Sequence, residues 1–580
     1  MPSRPAWYTL GPSESMLSAL NPFVEYLNAL RTQEGDANPD YVEENRSRHL
    51  KDLRRSAPWF PEEESLRVRT KIATLVSELA AGTVEVDLLF LTGDAGDGKT
   101  AACVDFAHAV GHHGPLARTD SVGDWTMIKD ASEHPEETVA SLVRSALAGE
   151  RRLVVAINEG RLRRLFKAED LGDTWREVVE PALRGWTEAN DADALDTAMR
   201  SRRVGVVNFR HRMHVDAVAP ALLEQWTRPE QWEGSPACVA CPAQARCPML
   251  ANARSVRVPE VALRVTEVLT MAHYAGQRLP FRRLQGVLAW CVTGGHSCTE
   301  IIAAAEPALD DRYYSLLFAT RPRGTARPEP IASSLSAADP YLTANPAADA
   351  QISAVLGNPE SLTAFEQAAL RTTKAAKSDI VRTLRRREMF ESALPARTTW
   401  RDGLRLLSRY ALTGDEAPLR NAVTRAINIL HRHPTTLEGF LPAEQLEPAS
   451  FRDPARSSLE LSLGTRFATR LVRGPVLPRL VDGWLESCPS EIELQAWPEN
   501  GTPVDPARLH LDARLVTLLL EVGEGFAFVP ALGSYRRELA RFHSRLVAMV
   551  PAPNIALSLR SDHRVWRLGE ENGRITLNRS

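Results

Sequence analysis

The residues best suited to chemistry lie in one octet, Gly93-Asp94-Ala95-Gly96-Asp97-Gly98-Lys99-Thr100. It reads G-x-x-x-x-G-K-T and sits between the apolar run Leu88-Leu89-Phe90-Leu91-Thr92 and the helix-forming stretch from Ala101 to Val110, the context this motif requires. Glycines let the backbone curl until its N–H groups face phosphate oxygens, and the start of the helix adds a partial positive charge. All eight residues are therefore expected to cradle ATP, with Lys99 reaching the β- and γ-phosphates and the Thr100 hydroxyl binding Mg²⁺. Lysine is scarce, seven residues in 580, so its presence at this position carries weight. A compact ammonium also fits inside such a loop where a broad guanidinium does not.

A phosphate loop needs a second strand that brings an acid to the metal and to the attacking water. The run Arg151-Arg152-Leu153-Val154-Val155-Ala156-Ile157 ends in Asn158-Glu159, where many related ATPases end in Asp-Glu. Glu159 is expected to polarise water. Asn158 is neutral and adds no charge at the metal, so it would act through a metal-held water or by orienting Thr100. A further run, Val204-Gly205-Val206-Val207, ends at Asn208-Phe209-Arg210-His211-Arg212. A polar tip on a strand lying between the phosphate-loop strand and the acidic strand can sense the γ-phosphate, and Asn208 is assigned that role. Arg210 and Arg212 are candidates for phosphate sensing or for reaching a neighbouring subunit, although a solvated surface position is the commoner fate of either. Arg161 and Arg282 are weaker candidates for the same work.

Cys238, Cys241 and Cys247 give C-x2-C-x5-C, a spacing that lets three thiolates converge on a structural Zn²⁺. A tetrahedral site needs a fourth ligand, for which Cys291, Cys298 or a histidine is available. Thiolates also bind iron–sulfur clusters, and reduced thiols packed in a compact insertion are an equal alternative. Arg382, Arg385, Arg386 and Arg387 form a basic run on a predicted helix, read as a solvated face paired with Glu388 and Glu391 before a nucleic-acid surface. Tyr313, Tyr314 and Phe318 are read as core packing. No zinc-protease motif, nucleophile elbow or convincing nuclease carboxylate set is present.

The elements that must position these residues are an α/β core of strand–helix units with a parallel sheet, built on Val86–Thr92, Trp125–Lys129, Leu153–Ile157 and Val204–Val207. Residues 1–80 read as an N-terminal helical segment. The P-loop ATPase core is expected over 81–320, with the cysteine insertion at 230–255 and a helical lid at 256–320. A Pro- and Ala-rich linker follows at 321–360, then a helical region at 361–440 and a C-terminal α+β module at 441–580. In that module strands are expected at Glu491–Trp497, Phe526–Val529, Ile555–Leu559 and Arg564–Leu568, with helices at Leu511–Leu520 and Tyr535–Val550. A length of 580 residues implies several units, and 44% hydrophobic with 25% charged residues excludes a disordered or collagen-like chain. The net charge of −3 excludes a chain basic throughout, although a local arginine stripe remains compatible with phosphate binding. With no apolar leader and no stretch of membrane-spanning length, a cytoplasmic protein without membrane contact is expected.

Taken together, Gly93–Thr100, Ala156-Ile157-Asn158-Glu159-Gly160-Arg161-Leu162, Val207-Asn208-Phe209-Arg210 and the C-x2-C-x5-C-P insertion resemble the DptF-like ATPases of bacterial antiphage systems linked to DNA phosphorothioation. The resemblance spans about 85 to 320. It implies an oligomeric, multi-protein defence complex that uses ATP to act on DNA, in restriction or in installing the modification. A regulatory NTPase switch with little hydrolysis and a scaffold holding a structural nucleotide are the rival readings.

Overall fold

A computed structural model of the chain describes residues 20–32, 43–318 except short runs such as 212–214, most of 335–391, 399–430, and most of 466–474, 491–524, 535–550 and 556–579, with three short strands between 440 and 462.

Five strands form the first sheet: β1 Leu88–Gly93, β2 Thr119–Val122, β3 Trp125–Ile128, β4 Arg152–Asn158 and β5 Val204–Asn208. Their order is β2-β3-β4-β1-β5. β3, β4, β1 and β5 run parallel, and β2 folds back antiparallel on β3 through a tight hairpin in which Gly123 has φ 59°. A parallel sheet is covered by helices on both faces, so its strands read as unbroken apolar runs rather than as an alternation. All six residues of β1 are buried, as are all five of β5. The four apolar runs expected from sequence each fall on a strand, and the mostly parallel α/β sheet follows from them.

Helices Lys99–Ala109, Glu136–Leu147, Glu159–Ala168 and Ala189–Arg202 link these strands. Phe106 stands edge-on to Trp125 with ring centroids 4.8 Å apart, and Arg152 stacks over the same indole at 4.1 Å. These contacts fix the first helix against β3. The arrangement brings the tips of β1, β3, β4 and β5 to one edge, where open α/β sheets bind ligands beyond the carboxyl ends of their strands.

Burial divides the chain differently from the linear order of its segments. One hydrophobic core is built from residues between Val76 and Phe209 around the sheet. A second joins the N-terminal helix Pro22–Thr32, the lid helices Pro259–Tyr274 and Phe281–Thr293, and the later helices Thr399–Thr413, Ala417–Leu430 and Ala513–Gly523. The helix Lys71–Ala80 thus gives Val76 and Leu79 to the sheet, while Phe23 and Leu27 pack with the lid.

Part of the expected linker is a helix, Pro346–Gly357. That helix, with Asp339 ahead of it, covers part of the arginine run, which is mostly paired and not a wet face. Arg385 pairs with Asp349 at 2.6 Å and Arg386 with Asp339 at 2.5 Å, each arginine about one-seventh exposed. Arg387 pairs with Glu391 at 2.9 Å and Glu388 at 3.3 Å, as expected, and only Arg382 is well exposed. Tyr313, Tyr314 and Phe318 are buried core residues.

The C-terminal module holds two antiparallel sheets. One runs Ala507–His510, Glu491–Pro498, Phe467–Gly474 and Phe440–Leu441; the other includes Ala556–Leu559, Val565–Glu571 and Arg574–Arg579. Helices Ala513–Gly523 and Arg536–Ala548 match the expected pair, and the run Phe526–Val529 lies outside the described residues. Among the described residues no helix is long and apolar enough to cross a membrane.

Candidate nucleotide-binding site

β1 ends at Gly93 and the helix begins at Lys99, so the octet forms the turn between them. Gly93, Gly96 and Gly98 have φ of 148°, 85° and 94°, a region that side chains disfavour. At Gly93 the reason is also steric, because a Cβ would stand 2.7 Å from Asp97 Oδ2. Asp97 is buried, and its carboxylate accepts from the Asp94 N–H at 2.7 Å. The Lys99 ammonium reaches back across the loop, donating to the carbonyls of Gly93 at 3.1 Å and Asp94 at 2.6 Å. Thr100 Oγ1 lies 3.5 Å from the Lys129 carbonyl at the tip of β3.

The order of strands changes two expectations. β5 pairs with β1 on the side away from β4, so Asn208 does not lie between the phosphate-loop strand and the acidic strand. It is 1% exposed, and its Oδ1 accepts from the Arg210 backbone N–H at 3.0 Å. That turn presses on the loop, since a Cβ on Gly93 would meet Phe209 Cβ at 3.1 Å and Arg210 N at 3.4 Å. Asn208, level with Thr92, thus holds the turn that packs against the loop, and its Nδ2 is buried with no hydrogen-bond acceptor among the described residues. The strand that does separate β1 from another tip is β4, which separates it from β3. Asn158, exposed and level with Gly93, stands at the tip of that strand, and the first acid beyond the tip of β3 is Asp130.

Motif spacing does not single out Asp130, although it follows the apolar run of β3 directly. Its Oδ1 caps a short turn by accepting from Ser132 N–H at 2.8 Å, and the preceding Lys129 is buried, donating to the Leu116 carbonyl at 2.8 Å. Glu159 opens the helix after β4. Arg163 donates to its Oε1 at 2.7 and 3.0 Å, and Arg210 stands 3.7 Å from its Oε2. Arg161 turns the other way, donating to the His134 carbonyl. Arg210 is half exposed, and Arg212 lies outside the described residues. Arg282, at the start of the lid helix, donates its backbone N–H to the Gly96 carbonyl at 3.2 Å, and its Cβ would meet a Cβ on Gly96 at 3.2 Å. The lid thus begins on the loop.

At the cysteine insertion, Cys238, Cys241 and Cys247 line one cavity with Cys298, which begins the helix Cys298–Ala303. Cys291 is buried elsewhere in the lid and is not part of the lining. Burial pushes the Cys247 thiol up to about 12 and the Cys298 thiol to about 11, and it raises that of Cys238. Among the described residues no three His, Cys, Asp or Glu side chains are grouped to hold a single ion. The expected zinc site at Cys238, Cys241 and Cys247 is not assembled as a compact three-thiolate set.

Compared with protein-family models, with curated proteins and with solved structures, the chain finds no match.

Proposed function

We propose that the chain is a Mg²⁺-dependent ATPase whose Gly93–Thr100 turn binds the triphosphate. The observation that carries this reading is Lys99, whose ammonium spans the mouth of a turn made by three positive-φ glycines at the end of the central parallel strand. In that position it can exchange two carbonyl partners for phosphate oxygens.

The oxygen donors fit a hard divalent cation. Mg²⁺ binds through one or two protein oxygens together with substrate phosphates, so it needs no three-carboxylate cluster. Thr100 and Asp130 would hold it, brought together by the contact between the Thr100 hydroxyl and the tip of β3. When bound, the metal neutralises charge developing on the phosphate oxygens. Asn158 would hold the γ-phosphate or water, and Glu159 would take the proton of the attacking water. Arg210 would follow the charge near Glu159, and Arg282 would report loop occupancy to the lid.

Lys99→Ala is expected to abolish ATP binding, and unchanged nucleotide affinity would contradict the site. A second reading is favoured by one feature: both Glu159 oxygens face arginines, Arg163 and Arg210. A carboxylate so engaged suits a switch that binds ATP, changes partners and hydrolyses slowly. Steady-state turnover with and without DNA separates the two, since the ATPase reading requires many turnovers per chain. On the resemblance to DptF-like ATPases, that turnover serves a multi-subunit antiphage complex that restricts unmodified DNA or installs the sulfur modification. DNA stimulation of hydrolysis is its expected signature.

A further inference from the structure

We propose that Cys238, Cys241, Cys247 and Cys298 hold a four-iron, four-sulfur cluster. The site is independent of nucleotide binding and ties the N-terminal helix to the cysteine insertion and the lid.

Four thiols from two separate segments line one small pocket that opens partly to solvent. Three come from the C-x2-C-x5-C run and the fourth lies fifty-one residues beyond Cys247, so the convergence is a product of folding and not of local sequence. The rest of the lining is almost wholly apolar, with Val24, Trp232 and Ile301 among its walls. Thiolates are soft ligands for zinc and for iron–sulfur clusters, and four of them around one pocket make a complete ligand set. A centre with an affinity for sulfur accounts for that gathering.

A single zinc ion does not. With Zn–S bonds of about 2.3 Å, tetrahedral geometry draws thiolate sulfurs to within about 3.8 Å of one another. Among the described residues no three potential ligands are grouped closely enough to share an ion. An iron–sulfur cubane is larger, binds one cysteine at each of four corners and leaves the sulfurs well apart. The four are thiols rather than disulfides, and each would release its proton to solvent as its sulfur binds iron.

The surroundings also suit bound sulfur. Asn21 Nδ2 donates to Cys238 Sγ at 3.3 Å and is held in place by a second bond to the Gln231 carbonyl at 2.8 Å. The backbone N–H groups of Met249 and Leu250 turn toward the Cys247 sulfur at the start of the helix Pro248–Val256, and that of Asn21 toward Cys298. Hydrogen bonds to sulfur are a principal means by which proteins stabilise and tune such clusters. Asn21 thus reaches two of the four sulfurs from the base of the N-terminal helix.

The test uses the full chain purified without oxygen, assayed for iron, acid-labile sulfide and zinc, and examined for visible absorption that bleaches with dithionite. The expected result is about four iron and about four sulfide per chain, either as purified or after reconstitution with ferrous iron and sulfide. Cys298→Ser is expected to lose at least half of that iron. Cys291→Ser, a buried change in the same lid outside the cavity, is expected to keep it. Stoichiometric zinc without sulfide would overturn the proposal, as would disulfides among the four, or protein that takes up neither iron nor sulfide on reconstitution. The wild-type assay decides the question even where a cysteine variant fails to fold.

Discussion

Lys99, Thr100 and Glu159 are legible in the sequence because each stands in a fixed relation to a motif or to the end of an apolar run. The role proposed for Asp130 is not, because it depends on which strands become neighbours, and strand order is not written in local spacing. The same limit misplaces Asn208. A residue that reads as a strand-tip sensor is 1% exposed and holds the turn that packs against the loop, while Asn158 occupies the exposed tip between β1 and β3. These roles separate by substitution. Glu159→Gln is expected to retain ATP binding and lose roughly 10²–10⁴-fold in turnover, as befits loss of a general base, and turnover near wild type would remove that assignment. Asp130→Asn is expected to shift the Mg²⁺ concentration for half-maximal turnover upward. An unchanged Mg²⁺ dependence would return the metal to β4.

At the scale of elements, the strand runs and the lid can be read from apolar periodicity, whereas the contact between lid and loop cannot. It consists of a backbone bond from Arg282 to Gly96 and a glycine with φ 85°, neither of which side-chain pattern encodes. Gly96→Ala is expected to strain the turn by roughly 1–2 kcal/mol and to push on Arg282, so nucleotide affinity should fall while the fold is kept. Calorimetric titration with ATP beside a thermal melt checks both halves of that statement. The arginine run on Lys377–Glu391 shows a second limit. Helical amphipathicity suggests a wet face, but Asp339 and Asp349, from a segment read as linker, cover it.

For the whole molecule, length implies several units, and folding gathers most of them into two cores. The second is held in part by charge at its centre. Arg312 is fully buried, donating to Asn252 Oδ1 at 2.9 Å and Ser255 Oγ at 2.8 Å, with Glu366 at 3.6 Å and Glu391 at 3.7 Å. Burial alone would raise the Glu366 carboxyl, but the guanidiniums of Arg312 and Arg387 and the bonds from Thr363 hold it below its ordinary value of 4.5. A carboxylate depressed in the folded state contributes stability that is present above its unfolded value and lost as pH falls through the folded one. Acidification below about pH 4.5 is therefore expected to weaken the second core. Glu366→Gln, which strands a buried guanidinium, is expected to cost roughly 3–5 kcal/mol at neutral pH and to flatten that acid limb. Denaturant unfolding of both proteins from pH 7 to pH 3, roughly the span over which a carboxyl titrates, tests the sign. Parallel losses would show that Glu366 is not responsible.

The measurement that bears most directly on the whole reading is equilibrium binding of ATP, with Mg²⁺ present, to the intact chain and to Lys99→Ala. Saturable binding of one ATP per chain, lost in the variant while its thermal unfolding is unchanged, is the expected result. Equal affinity in the two proteins, or no binding to either, would contradict it.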